Sequence, residues 1–270
     1  MEQRVAIAIS EGVADVRLMR ADKMNALDAQ MFEALVDATG RLAKEKGLRA
    51  VVLSGEGRAF CAGLDMGRFA AMKDNGGNGI PGGEKRDLSI RTHGLANFAQ
   101  QAVWGWRQLP VPVIAAVHGV AFGGGFQLAL GADMRFLSAD ARMSIMEIKW
   151  GLVPDMAGTP ILGSLVRDDI LRELTYTGRI FSAQEALSYG LATRICEDPR
   201  TTAFEVAREI AGKSPDAIRA AKRMLNKLSV DPGPALLAES VEQQKLLGSS
   251  NQIEAVSANI DKRAPRFADG

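Results

Sequence analysis

Two segments limit what this chain can fold into more than any other feature: in each, an apolar run gives way to small residues where a helix is due. Ala50-Val51-Val52-Leu53 leads into Phe60-Cys61-Ala62-Gly63-Leu64-Asp65, and Val111 to Val117 leads into His118-Gly119-Val120-Ala121-Phe122-Gly123-Gly124-Gly125-Phe126-Gln127. Short apolar runs bounded by turn residues read as buried strands, which makes the chain α/β. Where a strand passes into a helix, the first N–H groups of the helix lack an internal acceptor, and the helix dipole favours negative charge beside them. Three consecutive glycines let a ligand reach that backbone. The same run would serve equally to pack a strand closely against a helix. A phosphate-binding loop does not fit, because no Gly-Lys-Ser/Thr follows and the spacing is not Gly-x-Gly-x-x-Gly.

Upstream, Val5 to Ile9 and Val13 to Leu18 are expected to be strands around the turn Ser10-Glu11-Gly12. Asp28 is placed to cap an amphipathic helix through Phe32, Leu35 and Leu42 that ends near Gly47. The order strand, strand, helix, strand suggests a repeating unit. Residues 74 to 83 hold too much glycine for regular structure and are expected to form a mobile loop. Helices are expected from Leu88 to Gln108 and from about Gly125, with short strands at Met134 to Leu137 and Met143 to Ile145. Ser182-Ala183-Gln184-Glu185 is a capping box with Gly190 as a fitting residue past the helix end. Beyond Asp198-Pro199 the pattern is helical, with helix starts at Ser214-Pro215-Asp216 and at Asn251 to Glu254. A boundary is therefore expected near residue 200, between a mixed α/β core over 1–200 and a helical region over 201–270.

Charge narrows the partners. Lys and Arg number 33 against 32 Asp and Glu, so no global field draws in nucleic acid or an anionic membrane. The most apolar stretch, Val111 to Leu130, is broken by Pro112, His118 and several glycines and is a poor membrane span. Cys61 and Cys196 stand far apart, without the spacing of a disulfide framework or a zinc knuckle. With no secretory signal in Met1-Glu2-Gln3-Arg4-Val5, a soluble, cytoplasmic protein is expected.

Taken with further segments, the two strand ends resemble the crotonase superfamily (enoyl-CoA hydratase/isomerase family) from about Val13 to Ile195. The resemblance is carried, in order, by Lys23-Met24-Asn25-Ala26-Leu27, Cys61-Ala62-Gly63-Leu64-Asp65, Pro112-Val113-Ile114-Ala115-Ala116-Val117-His118-Gly119, the triple glycine, Gly151-Leu152-Val153-Pro154 and Thr177-Gly178-Arg179. It implies a crotonase-like spiral of ββα units with a helical C-terminal region used for oligomerisation. The partners implied are an acyl-CoA thioester and further copies of the chain, in a homotrimer or a dimer of trimers. By the same resemblance the N–H groups of Leu64 and Gly124 are oxyanion donors, and Ala62, Gly63, Asp65 and Gly123 lie against the substrate. Lys23 and the C-terminal Lys262-Arg263-Ala264-Pro265-Arg266-Phe267 are implied contacts for CoA. No metal or redox cofactor is expected, CoA being part of the substrate.

The acids decide the reaction. Where hydratases of that family carry a glutamate two residues after the triple glycine, this chain has Gln127, which can hydrogen-bond but cannot exchange a proton. Glu147, within Ile145-Met146-Glu147-Ile148, matches the family's second glutamate, and Asp155 matches an acid found in dienoyl-CoA isomerases. Plainer alternatives are a solvated strand end for Glu147 and an N-cap of a helix starting near Met156 for Asp155. A carboxyl set against Ile145, Ile148 and Met156 would keep its proton to higher pH, and a second carboxyl nearby would push one of the two further.

The implied chemistry is proton removal by Glu147, with the enolate held by Leu64 and Gly124. Asp155 would act as a second acid or base, and Gln127 would orient the substrate or a water. A double-bond isomerase is the expectation; a hydratase and a non-catalytic acyl-CoA binder are the alternatives. Trp104, Trp106, Met66 and Phe69 could line an acyl pocket or fill the core. His93, expected on a helix, and His118, the only histidines, form no Ser-His or metal constellation.

Overall fold

A computed structural model of the chain describes residues 3–67, 87–226 and 233–266. The glycine-rich stretch at 74–83, Phe69 and Phe267 lie outside the described residues. The strands are β1 (Val5–Ser10), β2 (Val13–Leu18), β3 (Ala50–Gly55), β4 (Val113–Val117), β5 (Val120–Phe122), β6 (Met134–Leu137), β7 (Arg142–Ser144), β8 (Phe181–Ser182) and β9 (Arg194–Ile195). The helices are α1 (Ala29–Leu42), α2 (Phe98–Gln108), α3 (Gly124–Leu130), α4 (Gly158–Leu162), α5 (Asp168–Thr177), α6 (Ala183–Ser188), α7 (Pro199–Ala211), α8 (Pro215–Asn226), α9 (Gly233–Leu246) and α10 (Ser250–Ile260).

Strands β1 and β2 form the expected antiparallel hairpin, and β3, β4, β6 and β9 follow in parallel to give a sheet of order β1-β2-β3-β4-β6-β9. Both faces of this sheet are covered, which is why β3 and β4 are apolar at nearly every position. On one face α7 lays Ala203 and Ala207 against Val52, Ile114, Ala116 and Phe136. The other face meets α1, α2 and α3 through Leu35, Val103, Trp106 and Leu128. Trp104 and Trp106 are both buried in that core, so packing is their role.

A second, smaller sheet holds β5, β7 and β8. It is extended by two isolated parallel bridges, Cys61↔Ala121 and Leu27↔Leu64. Each turn of the chain thus contributes one strand to the large sheet, a few residues to the small one, and then a helix, which is the ββα spiral. Positions at the end of the small sheet stack on one another from turn to turn.

Helix limits follow local chemistry. Asp28 accepts from Met31 N–H and starts α1, and Ser182 and Glu185 close a capping box on α6. Two expected helix boundaries fail: α1 ends at Leu42, short of Gly47, and α2 begins at Phe98, not Leu88, because Asn97 and Gln100 form a capping box there. Residues 87–97 are turns and bends ahead of it, so His93 sits in a loop. Strand β7 starts and ends one residue earlier than expected. Among the described residues no helix is long and apolar enough to cross a membrane.

Candidate active site

The spiral explains how residues far apart in sequence meet. In the bridge Cys61↔Ala121 the paired residues are 60 apart, and the same offset relates Leu64 to Gly124 three residues further along both strands. Cys61 N–H donates to Val120 O at 3.0 Å and Phe122 N–H to Cys61 O at 3.1 Å, which ties the two segments together, and Leu27 N–H donates to Gly63 O at 2.8 Å from the preceding turn. Gly63 has φ +88°, and a Cβ there would lie 2.5 Å from Phe122 O and 3.7 Å from Gly124 N. The backbones before Leu64 and Gly124 therefore touch, and among the described residues neither of those N–H groups has an acceptor. Gly123, at φ +50° and ψ −121°, turns the chain so that Gly124 begins α3 with its N–H facing outward.

The next turn brings the acid. Gly123 N–H donates to Ser144 O at 3.0 Å, and three residues beyond Ser144 the chain enters a 3-10 helix at Glu147. A Cβ on Gly123 would stand 3.4 Å from Glu147 Oε1, so the carboxyl lies directly against the glycine turn. Glu147 is buried, which excludes a solvated strand end. Its Oε1 accepts from Gln127 Nε2 at 2.7 Å, while Oε2 has no partner among the described residues.

A cavity of about 710 Å³ joins these groups. Its wall includes Lys23, Ala62, Gly63, Leu64, Asp65, Gly123, Gly124, Glu147 and Asp155, with Leu27, Phe32, Met66, Trp150, Leu152 and Met156 as apolar surface. At the mouth Arg20 Nη1 donates to Asp65 Oδ2 at 2.5 Å; burial pushes the Asp65 carboxyl up, but Arg20 and the Gly67 N–H hold it below its ordinary value overall. Cys61 is sealed behind the glycines with its thiol pushed up to about 12 by burial, so it supplies no nucleophile. Among the described residues no trio of His, Cys, Asp or Glu is arranged to hold a metal ion.

One side chain, Gln127, sits differently from expectation, and at Asp155 the plainer alternative fails. Gln127, expected to orient substrate or water, is buried behind Glu147, and its Oε1 accepts from Met156 N–H at 2.9 Å and Gly158 N–H at 3.0 Å. Its amide is committed to protein, and it aligns Glu147 from the rear. Asp155 caps no helix: α4 starts at Gly158, with Ala157 at φ +66° before it and no capping side chain. The Asp155 carboxyl faces the cavity instead, within hydrogen-bonding reach of Gln243.

Three carboxyls share this interior. Burial, opposed by the Gln127 bond and reinforced by Glu239, pushes Glu147 up to about 7. Burial together with the charges of Glu239 and Glu147 pushes Asp155 up to about 8. Both acids hold protons more tightly in the fold than in the unfolded chain, so their stabilising contribution is complete below about pH 4 and is lost as pH rises through 7 and 8. Glu147→Gln should therefore melt several degrees above the parent at pH 8.5 and close to it at pH 4.5. Calorimetry across that range checks this, and a gain that does not depend on pH would be contrary to it.

Glu239 and Gln243 come from α9, and sequence reasoning missed both. The inward stripe of that helix is Leu236, Glu239, Ser240 and Gln243, spaced as a buried helix face should be but polar at three of four positions. A pattern that counts apolar residues assigns such a face to solvent. The usable signal was the i, i+4 pairing of Glu239 with Gln243.

Comparison with known proteins agrees with this architecture. The family model described as enoyl-CoA hydratase/isomerase matches residues 8–270. The chain is 33% identical to the carnitinyl-CoA dehydratase of Proteus mirabilis over 275 aligned positions, covering 99% of each chain. It is 32% identical to the peroxisomal Delta(3,5)-Delta(2,4)-dienoyl-CoA isomerase of Arabidopsis thaliana, covering 92% of this chain and 90% of that one. Among solved structures, an enoyl-CoA hydratase/isomerase from Pseudoalteromonas atlantica superposes with a TM-score of 0.82 at 28% identity, covering 98% of this chain and 100% of that one.

Proposed function

The chain belongs to the enoyl-CoA hydratase/isomerase family, and from that premise we propose that it moves a double bond within 3-enoyl- or 3,5-dienoyl-CoA thioesters. The observation that carries this reading is the state of Glu147: one carboxylate oxygen is held by Gln127, and the other has no partner among the described residues beside the cavity. The thioester oxygen sits between Leu64 N–H and Gly124 N–H. Glu147 takes a proton from C2, charge moves onto that oxygen, and the two N–H groups stabilise the dienolate more than the ground state. Glu147 returns the proton at C4, so substrate and product are isomers and no water or electron is exchanged. In a dienoyl substrate the proton returns further along the chain, with Asp155 as the second acid or base. Lys23 and Phe267 would contact CoA, and CoA enters as part of the substrate, with no other cofactor in this scheme. Self-association as a trimer or dimer of trimers belongs to the same proposal, supported by the exposed Tyr176, Met224 and Leu225.

A second reading, water addition to 2-enoyl-CoA, is favoured by one observation: Asp155 and Glu147 both face the cavity, so two carboxyls could share a water. Turnover of 2-enoyl-, 3-enoyl- and 3,5-dienoyl-CoA by the purified protein separates the two. Fastest conversion of the 3-enoyl or dienoyl substrate without water uptake supports the isomerase; fastest hydration of the 2-enoyl substrate overturns it.

Gln127→Glu sharpens the distinction. The new carboxylate would keep the bonds from Met156 and Gly158 but would set its other oxygen against Glu147 Oε1, where two acids must share a proton. Isomerisation at pH 7 is expected to fall on the order of tenfold, its acid limb to move above 7, and hydration of the 2-enoyl thioester to rise from its parental level. Parental isomerisation in this variant would mean that Gln127 does not govern Glu147.

A further inference from the structure

Behind the cavity, Glu239 is buried, reaches in from α9, and collects four hydrogen bonds on one carboxylate. Oε1 accepts from Thr159 N–H at 2.8 Å and Thr159 Oγ1 at 2.5 Å. Oε2 accepts from Ala157 N–H at 3.0 Å and Gln100 Nε2 at 3.0 Å. Gln127 Oε1 grips the same loop from the other side, through Met156 N–H and Gly158 N–H. Alternate N–H groups of residues 156–159 are thus shared between Gln127 and Glu239. A loop whose Ala157 stands at φ +66°, a conformation costly for a residue with a Cβ, is held in place by these two side chains.

We propose that Glu239 is a positioning residue for the reaction: from the C-terminal region it fixes the 155–159 loop against Gln127 and sets the spacing and charge of the Glu147–Asp155 pair. The inference rests on the reading above, in which Glu147 moves the proton. Burying a carboxyl is costly, and an apolar residue would fill α9's inward stripe at less cost. Burial pushes the Glu239 carboxyl up, and the four donors that converge on it oppose that rise by favouring the ionised form. Its charge faces Glu147 and Asp155 on the loop side, and both acids are pushed up by it. On the α2 side it meets neutral Gln100 and, beyond, the guanidinium of Arg91, which donates to Gln100 Oε1 at 3.0 Å and Ser240 Oγ at 2.8 Å. Gln127 and Gln243 complete the polar surroundings of the acid pair without adding charge. Glu239 also bears four donors on two oxygens, so a glutamine there must turn an NH2 towards donors whichever way it lies.

The test compares parent, Glu239→Gln and Thr159→Val, the last leaving α9 untouched. Side-chain carboxyl NMR follows the Glu147 and Asp155 resonances with pH, assigned with Glu147→Gln and Asp155→Asn. In Glu239→Gln both acids should titrate lower by about one pH unit, through loss of the neighbouring charge. Thr159→Val should lower Asp155 in the same direction as the loop opens to water. In turnover, both variants should lose kcat by roughly tenfold with KM nearly unchanged, and the pH profile should follow the titrations. Titration of Glu147 and Asp155 at parental pH in a folded Glu239→Gln overturns the proposal, whatever its melting temperature. If that variant does not fold, Thr159→Val decides alone: parental titration and kcat overturn the proposal, and the lowered values support it. Should the parent isomerise no enoyl thioester, the function proposed above fails while the NMR titration still settles the part played by Glu239.

Discussion

Glu147→Gln is expected to lower kcat for 3-enoyl-CoA isomerisation on the order of 10³-fold while leaving KM within a few-fold of the parent. The substitution preserves shape and keeps the acceptor for Gln127 Nε2, held at 2.7 Å in the parent, so the loop and the cavity wall should stay in place. What it removes is the capacity to take a proton from carbon, and one positioned acid or base contributes typically 10²–10⁴ in rate. The proton affinity of Glu147 makes the prediction specific. With the carboxyl pushed up to about 7 by burial, the parent's rate should climb with pH through the neutral range as the base ionises. The residual rate of the variant should lose that limb altogether. Steady-state kinetics from pH 5.5 to 9 measures both. A variant that keeps parental turnover would mean that a group other than Glu147 moves the proton, and a parent that turns over none of the three thioesters would be a carrier of acyl-CoA.

Gly63→Ala should be nearly as damaging by a different route, with a loss on the order of 10²–10³ in kcat/KM. The residue sits at φ +88°, and its Cβ would have to lie 2.5 Å from Phe122 O, a backbone atom pinned by the Phe122 N–H bond to Cys61 O. No side chain can rotate away to make room. Either the 61–64 segment or the 121–124 segment must move, and either movement misdirects one of the two N–H groups that converge from Leu64 and Gly124. Removal of one such donor carries that cost in rate. Gly40→Ala is the control: it lies on the exposed face of α1 with nothing within 4 Å of the added Cβ, and it should keep parental activity with slightly higher stability. Equal activity of Gly63→Ala and Gly40→Ala would sink the oxyanion role of this turn.

Much of the fold was legible because the decisive signals are local. The caps at Asp28 and Ser182, the apolar runs of β3 and β4, and the glycines at 123–125 each act within a few residues, and each element forms where they direct. The early start assigned to α2 failed for the same reason in reverse: Asn97 with Gln100 is a capping box, and it outweighs the helical look of Leu88 to Ala96. Asp155 was ambiguous because an aspartate before a helix can be either a cap or a free acid. The choice falls to the turn at Ala157, which delays α4 until Gly158 and leaves the carboxyl to the cavity.

By itself the sequence determined the strand runs, the glycine turns and the helix caps, because these are written in contiguous residues, while its resemblance to a known family pointed to the spiral and to Glu147 and Asp155 as candidate acids. Only the tertiary structure decided that Gln127 stands behind Glu147 instead of beside the substrate, and that Glu239 crosses from α9 to hold the 157–159 loop. Those contacts span 20 to 82 residues of chain, and they satisfy buried polar groups that look, in one dimension, like any solvated helix face. Burial also sets the proton affinities of Glu147 and Asp155, a property of the surrounding dielectric and neighbouring charge that no residue carries alone.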